Sequence, residues 1–288
     1  PGEHITLAGQ RVPFGTDVLF EADGVRDLVL GVEICEDVWV QTPPSMLQVS
    51  AGATVCANLS ASNFTIGKAD IRRTLAGSAS DRGKCAYLYV AAGPGESSTD
   101  LAFDADAFIF ENGHELVSSE RFSRQAQLLV VDVDLESLVR ERLVSNPFGD
   151  CARTSAKTFR RVPFSAREGK GLRREVAAHP FLPHDEATLA KRCWEIFEIQ
   201  THALLTRMEA AGQPNLVLGV SGGLDSTHAA LVCAVALDMA KRPRKQLVCV
   251  TMPGLGTSAN TKQNAKDLAD SLGASYLDVG IDDATRVV

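Results

Sequence analysis

Apolar residues in the first two-thirds of the chain fall into short runs separated by turn residues, a pattern that predicts β-strands. The predicted strands cover residues 28–34, 53–58, 85–91, 107–110, 115–118 and 128–133. The Asn112-Gly113 dipeptide between two of these runs is a strong signal for a β-hairpin. A helix is predicted over residues 69–84.

The pattern changes after residue 146. Four prolines and a basic run at 170–174 interrupt it up to about residue 184, which indicates an inter-domain linker; the prolines are Pro147, Pro163, Pro180 and Pro183. Asp185 is predicted to cap a helix over 185–211. We therefore expect one domain at 1–165, a linker at 166–184 and a second domain at 185–288.

The second domain alternates strands with helices. Strands are predicted at 216–220, 246–251 and 276–279, and helices at 226–240 and 261–272, with Gly273 as a C-cap. Strands joined by crossover helices indicate an α/β fold with a doubly wound parallel sheet.

Composition narrows the function classes. The net charge of −7 and the pI near 5.4 argue against nucleic acid or an anionic membrane as the main partner. No apolar stretch approaches the ~20 residues that span a bilayer, and no signal peptide is visible. Because the chain starts at Pro1 and residues 283–288 look like the start of a further element, we expect a longer parent polypeptide.

The seven cysteines do not form a metal-binding pattern. Their number is odd, and no CxxC pair occurs, so a structural zinc site is not expected. Cys56, Cys233 and Cys249 lie in apolar runs and are interpreted as small core residues. A reducing, cytoplasmic compartment fits this usage.

The sharpest motif follows the strand at 216–220. Gly222 and Gly223 allow the backbone to approach an anion, and the next helix offers free N–H groups. Ser221 and Ser226 add hydroxyl groups, while Asp225 is interpreted as a Mg²⁺ ligand beside a phosphate. A plain glycine-rich turn is the alternative interpretation.

The run resembles the SGGxDS loop of PP-loop ATP pyrophosphatases, and it lacks the Gly-Lys-Ser/Thr of a Walker loop. Residues 251–258 resemble the MPGFGTS segment of NAD⁺ synthetases, with Leu255 where an aromatic is commoner. From the resemblance, the predicted ATP-binding residues are Gly219, Val220, Ser221, Gly222, Gly223, Leu224, Asp225, Ser226 and Met252.

Cys35 ends a predicted buried strand, where a thiol on a rigid base is useful as a nucleophile. Glu36 and Asp37 would raise its pKa, so a cation from elsewhere in the fold is needed. A structural cysteine is the alternative.

Residues 31–39, Gly-Val-Glu-Ile-Cys-Glu-Asp-Val-Trp, resemble the nucleophile segment of nitrilase-type amidohydrolases, specifically the glutaminase domain of NAD⁺ synthetases. That family uses a Glu–Lys–Cys triad whose Glu and Lys we expect upstream of residue 1. The resemblance places Ser62 and Lys68 at the glutamine-binding position, with Lys where Arg is frequent. It implies the C-terminal part of an α-β-β-α sandwich followed by the start of a PP-loop domain.

The two resemblances together imply a glutamine-dependent NAD⁺ synthetase, a homo-oligomer that uses ATP, Mg²⁺, glutamine and deamido-NAD⁺. Cys35 would release ammonia, and the PP-loop domain would adenylate and amidate deamido-NAD⁺. Another glutamine-fed PP-loop ligase, such as a GMP-synthetase-like enzyme, ranks lower because its Gly-x-Cys-x-Gly elbow is missing from residues 31–39. A non-catalytic fragment that binds ATP is the third interpretation.

Overall fold

The chain divides into two compact units, Pro1–Val176 and Ala177–Val288. The computed structural model describes residues 3–97, 101–155, 157–183, 185–212, 215–254 and 258–281. The division lies inside the predicted linker at 166–184. The element expected at 283–288 lies outside the described residues, and the domain boundaries stay a prediction.

Among the described residues, the first unit contains a mixed sheet and a separate two-stranded sheet. Its strands are β1 (Glu3–Leu7), β2 (Gln10–Phe14), β3 (Val18–Asp23), β4 (Val29–Ile34), β5 (Val55–Ser60), β6 (Ala86–Ala91), β7 (Ala107–Glu111), β8 (His114–Ser118) and β9 (Arg160–Ser165). β1 and β2 pair with each other, and the others are ordered β8-β7-β6-β5-β4-β3-β9. Because β4, β5 and β6 are parallel, the residues that follow them meet at one edge of the sheet.

Helices cover both faces of this sheet. They are α1 (Pro44–Ser50), α2 (Lys68–Gly83), α3 (Leu135–Val144) and α4 (Asn146–Thr154). Tyr87 and Phe108 share a core with Ala76 of α2, whose small side chains let the helix approach closely. Val55 and Leu138 belong to a separate cluster. Because neighbouring strand residues point to opposite faces, that cluster lies on the other side of the sheet.

The hairpin prediction is confirmed. β7 and β8 are antiparallel, and Glu111 pairs with His114 across the turn. Asn112 and Gly113 have φ of +48° and +84°. Both central residues of a type I′ turn need positive φ, which is why Asn-Gly favours it.

Two predictions for the first unit are wrong. The proline-rich stretch after residue 146 was predicted to lack regular elements, but it contains α4 and β9. Pro163 is tolerated because β9 is an edge strand of its sheet. Residues 128–133 form no strand. Leu128 is 87% exposed, and Asp132 accepts hydrogen bonds from the backbone amides of Arg173 and Arg174. An apolar run becomes a strand only where a neighbour pairs with it.

The second unit confirms the predicted alternation of strands and helices. Its elements are α5 (Glu186–Ala211), β10 (Leu216–Gly219), α6 (Leu224–Met239), β11 (Leu247–Thr251), α7 (Ala259–Leu272) and β12 (Ser275–Asp278). The strands are parallel and lie in chain order. Asp185 caps α5 by accepting from the Thr188 amide (2.7 Å), and Gly273 ends α7 with φ +70°.

Among the helices that the structure describes, none combines the length and apolar character needed to cross a bilayer.

We expect Leu138→Ala to destabilise the first unit by about 2–5 kcal/mol, because it removes a fully buried side chain and leaves a cavity. The measurement is denaturant unfolding followed by Trp39 fluorescence in a Trp194→Phe background, which leaves Trp39 as the chain's single tryptophan. Leu143→Ala, at a position 78% exposed on the same helix, is the matched control. Equal losses in both variants would show that α3 does not pack on the sheet.

Candidate functional site

Cys35 lies where β4 ends and the chain turns. It opens a short 3-10 helix, Cys35–Trp39, and its φ of +52° falls in the left-handed region. This backbone costs of order 1–3 kcal/mol for a residue with a side chain, so its surroundings must hold it. The Ile34 amide donates to an oxygen of the Asp37 carboxylate (2.8 Å), which closes the turn. Cys35 is partly exposed, so it is not sealed in the core.

A buried carboxylate lies behind this turn. Glu33 is 2% exposed and accepts hydrogen bonds from the Ser45 amide (2.8 Å) and from the Tyr87 hydroxyl. The side-chain nitrogen of Asn58 lies 3.3 Å from Glu33 Oε1 and 3.3 Å from the backbone oxygen of Cys35. Because an unpartnered buried carboxylate is costly, these donors fix Glu33. Asn58 in turn links Glu33 to the backbone of the proposed nucleophile.

Two buried tyrosines of β6, Tyr87 and Tyr89, have raised pKa values. Burial, assisted by the Glu33 carboxylate, raises the pKa of Tyr87 far above its usual value. Burial also raises the pKa of Tyr89, which stacks on Phe108 with ring centroids 4.8 Å apart. Both phenols therefore stay protonated near neutral pH, and Tyr87 remains a donor to Glu33.

The predicted glutamine-binding residues follow β5 at the same edge of the sheet. Ser62 is buried, and Lys68 is the first residue of α2. The Lys68 ammonium donates to the backbone and side-chain oxygens of Asn63 (3.1 and 3.0 Å). It also lies 5.5 Å from the Trp39 ring centroid. The fold therefore brings the Lys68 ammonium to Trp39, the last residue of the short helix that Cys35 opens.

Sequence reasoning missed the ion pair that holds this segment. Arg72 and Asp104 are both fully buried and joined by two hydrogen bonds of 3.0 and 2.9 Å. The other terminal nitrogen of Arg72 donates to the backbone oxygens of Ser62 (3.0 Å) and Asn63 (3.1 Å). The available signal was an arginine among the small residues of α2.

The glycine-serine loop between β10 and α6 folds back on itself. The hydroxyl oxygens of Ser221 and Ser226 lie 3.2 Å apart. The Gly223 amide donates to the Ser221 hydroxyl (3.3 Å), and the Ser226 hydroxyl donates to the Gly223 carbonyl (3.1 Å). Both hydroxyls thus converge at the amino end of α6, an arrangement that can surround a phosphate.

A close backbone contact fixes the shape of this loop. Gly222 has φ +81°, and a Cβ there would lie 2.2 Å from the Thr261 carbonyl oxygen at the start of α7. Only glycine fits such a position. The buried Thr251 hydroxyl donates to the Val220 carbonyl (3.1 Å), which ties the loop to the end of β11.

Three further predicted residues surround the loop. Leu224 and Asp225 are exposed in the first turn of α6. A Cβ at Gly219 would lie 3.7 Å from the Met252 methyl carbon, so Met252 flanks the loop. Leu255 and the rest of 255–257 lie outside the described residues. Within the part of the chain that the structure describes, no group of three or more His, Cys, Asp or Glu side chains could hold a metal ion.

The chain is similar in sequence to known proteins. Residues 196–288 match the family model of NAD synthase. The whole chain is 46% identical, over 290 aligned residues, to the glutamine-dependent NAD(+) synthetase of Mycobacterium tuberculosis. The chain is therefore similar in sequence, over nearly its whole length, to a glutamine-dependent NAD(+) synthetase. The alignment covers 99% of the chain but 43% of the mycobacterial protein, so the chain spans less than half the length of this relative.

Two further matches are more distant in sequence. The glutamine-dependent NAD(+) synthetase of Thermotoga maritima is 30% identical over 90% of the chain and 42% of that protein. The crystal structure of such a synthetase from Cytophaga hutchinsonii aligns with all of the chain and 44% of its own, at 21% identity and a TM-score of 0.38. The sequence matches confirm the resemblance read from residues 31–39 and 219–226. The individual site residues stay predictions.

We expect Asn58→Ala to destabilise the first unit by about 1–3 kcal/mol, because it leaves Glu33 and the Cys35 carbonyl short of a donor. Asn58→Asp should cost more at pH 8, because it places a second carboxylate against Glu33. The extra cost should shrink toward pH 5, since a carboxyl whose folded pKa is raised by a like charge destabilises the fold as pH rises.

The readout is again Trp39 fluorescence in the Trp194→Phe background. Asn58→Asp and Asn58→Ala variants of equal stability at both pH values would disprove the contact between Asn58 and Glu33.

Proposed function

We propose that the chain supplies the cysteine nucleophile and the ATP-binding loop of a glutamine-hydrolysing NAD⁺ synthase. The observation that carries the proposal is the pairing, on one polypeptide, of a partly exposed Cys35 held in a left-handed turn with a PP-loop whose hydroxyls converge. The 46% identity across both units supports the same assignment. The activity is that of a protein as long as these relatives.

At the cysteine site, the sulfur of Cys35 attacks the side-chain carboxamide carbon of glutamine. A thioester forms and ammonia leaves; water then hydrolyses the thioester to glutamate. Ser62 and Lys68 hold the amino-acid end of the substrate. The chemistry needs a base for the thiol proton, and we expect it from the Glu and Lys that the family carries upstream of the nucleophile.

At the PP-loop, a carboxylate oxygen of deamido-NAD⁺ attacks the α-phosphorus of ATP and pyrophosphate leaves. Ammonia then attacks the adenylated carbonyl carbon, and AMP leaves as NAD⁺ forms. The amides and hydroxyls of residues 219–226 bind the phosphates and stabilise their developing charge. Met252 flanks the nucleotide.

Asp225 is suited to hold Mg²⁺ at this loop. It is an exposed carboxylate in the first turn of α6 and directly precedes Ser226. Mg²⁺ usually takes one or two protein carboxylates and completes its shell with water and substrate phosphates, so one acid is sufficient. The ion would neutralise phosphate charge.

We further propose a cytoplasmic homo-oligomer; the seven free cysteines agree with a reducing compartment.

The two chemistries can be separated by the nitrogen source. We expect Cys35→Ala, in a protein of the relatives' full length, to abolish NAD⁺ formation from glutamine and to leave formation from ammonium within about threefold of the parent protein. Asp225→Ala should abolish both. The measurement is NAD⁺ produced from deamido-NAD⁺, ATP and Mg²⁺ with each nitrogen source. Glutamine-driven synthesis that survives Cys35→Ala would make Cys35 a structural residue.

The loop contact gives a separate prediction. Gly222→Ala would place a methyl group 2.2 Å from the backbone oxygen of Thr261, at a residue whose backbone is in the left-handed conformation. We therefore expect ATP affinity to fall at least tenfold. Gly223→Ala would meet nothing closer than the Ser221 hydroxyl at 3.4 Å, and its φ is −93°. It should therefore lose less affinity. Direct ATP-binding titration decides, and equal losses would contradict the role of the Thr261 contact.

A further inference from the structure

A buried arginine connects three segments around the proposed glutamine site. Arg72 has no exposed side-chain area, and one of its terminal nitrogens bonds to both oxygens of Asp104. Its other terminal nitrogen bonds to the backbone oxygens of Ser62 and Asn63. The planar guanidinium can make both pairs of bonds at once because its donors point in fixed directions.

Stability alone does not account for such an arrangement. Removing two charges from water is expensive, and a buried pair is often no more stabilising than apolar residues of the same volume. What Arg72 adds is a fixed position for backbone that is neither helix nor strand. Residues 61–65 run between β5 and α2 without ladder partners, and the guanidinium takes up two of their carbonyl groups.

The backbone carbonyl of Asn63 also accepts a hydrogen bond from Lys68. The backbone oxygen of Asn63 accepts from Arg72 (3.1 Å) and from the Lys68 ammonium (3.1 Å). Lys68 lies in turn over the Trp39 ring. A shift of Asn63 would therefore move the Lys68 ammonium relative to the turn that carries Cys35.

We propose that Arg72, held by Asp104, is a positioning residue for glutamine: it sets the placement of Ser62 and Lys68 and thereby the affinity for the amino-acid end of the substrate. The proposal rests on the proposed function of the Cys35 site. Arg72 is not in contact with the reacting atoms. It acts on substrate binding, whereas the backbone of Cys35 is held by the separate contact with Asn58, which also bonds to Glu33.

The neighbouring arginine provides a matched control. Arg73 bonds to both oxygens of Asp106 (2.9 and 3.0 Å) and to Glu115 (3.2 Å), and lies over the Phe108 ring. Arg73 is an arginine on the same helix that is also paired with carboxylates. Its bonds go to Asp106, directly before β7, and to Glu115 in β8, and not to residues 62 and 63.

The test compares Arg72→Lys with Arg73→Lys in the full-length protein. Lysine keeps the charge but cannot bridge Asp104 and two carbonyls. We expect Arg72→Lys to raise the KM for glutamine at least tenfold, to change the kcat with saturating glutamine by less than threefold, and to leave ammonium-driven synthesis unchanged. Arg73→Lys should change the KM for glutamine by less than threefold.

The proposal is overturned if Arg72→Lys leaves the KM for glutamine unaltered, or raises it no more than Arg73→Lys does. If Arg72→Lys loses turnover at saturating glutamine, Asp104→Asn decides, since it weakens the hold on Arg72 and keeps the guanidinium. A raised KM in that variant supports the positioning role, and an unchanged KM refutes it. If the parent protein makes no NAD⁺ from glutamine, the proposed function itself fails, and the two failures are thus distinct.

Discussion

The side-chain amide of Asn58 joins a buried carboxylate to the backbone of the proposed nucleophile. It lies 3.3 Å from an oxygen of Glu33 and 3.3 Å from the carbonyl oxygen of Cys35. Glu33 is fixed in turn by the Ser45 amide and by a tyrosine that burial keeps protonated. A left-handed cysteine persists only where its surroundings hold it, and this network holds it at the end of β4.

The two candidate sites use the same structural device on different sheets. In each, a parallel strand ends and a residue with positive φ turns the chain sharply: Cys35 after β4 and Gly222 after β10. The carboxyl ends of parallel strands are where open α/β sheets bind ligands. The chemistry differs because a thiol follows the first strand, whereas hydroxyls and free helix amides follow the second.

Local sequence was sufficient to predict the strands and helices of the second unit, but not all the elements and contacts of the first. The position of the glycine-serine loop was predictable because its glycines, serines and aspartate lie within eight residues, between a clear strand and a clear helix. The hairpin at Asn112-Gly113 was equally local. By contrast, Glu33 bonds with Asn58 and Tyr87, 25 and 54 residues away, and Arg72 bonds with Asp104 across 32 residues. No periodicity reports such pairs. Edge strand β9 was hidden by its proline, and residues 128–133 looked like a strand because a pattern of apolar residues says nothing about pairing.

Reaction with a diazo ketone analogue of glutamine, followed by mapping of the modified cysteine by mass spectrometry, tests the central claim most directly. The reagent needs both a nucleophilic thiol and recognition of the amino-acid end. We expect one adduct per chain, on Cys35, and protection by added glutamine. Modification of the exposed Cys151 or Cys193 in place of Cys35 would contradict the account.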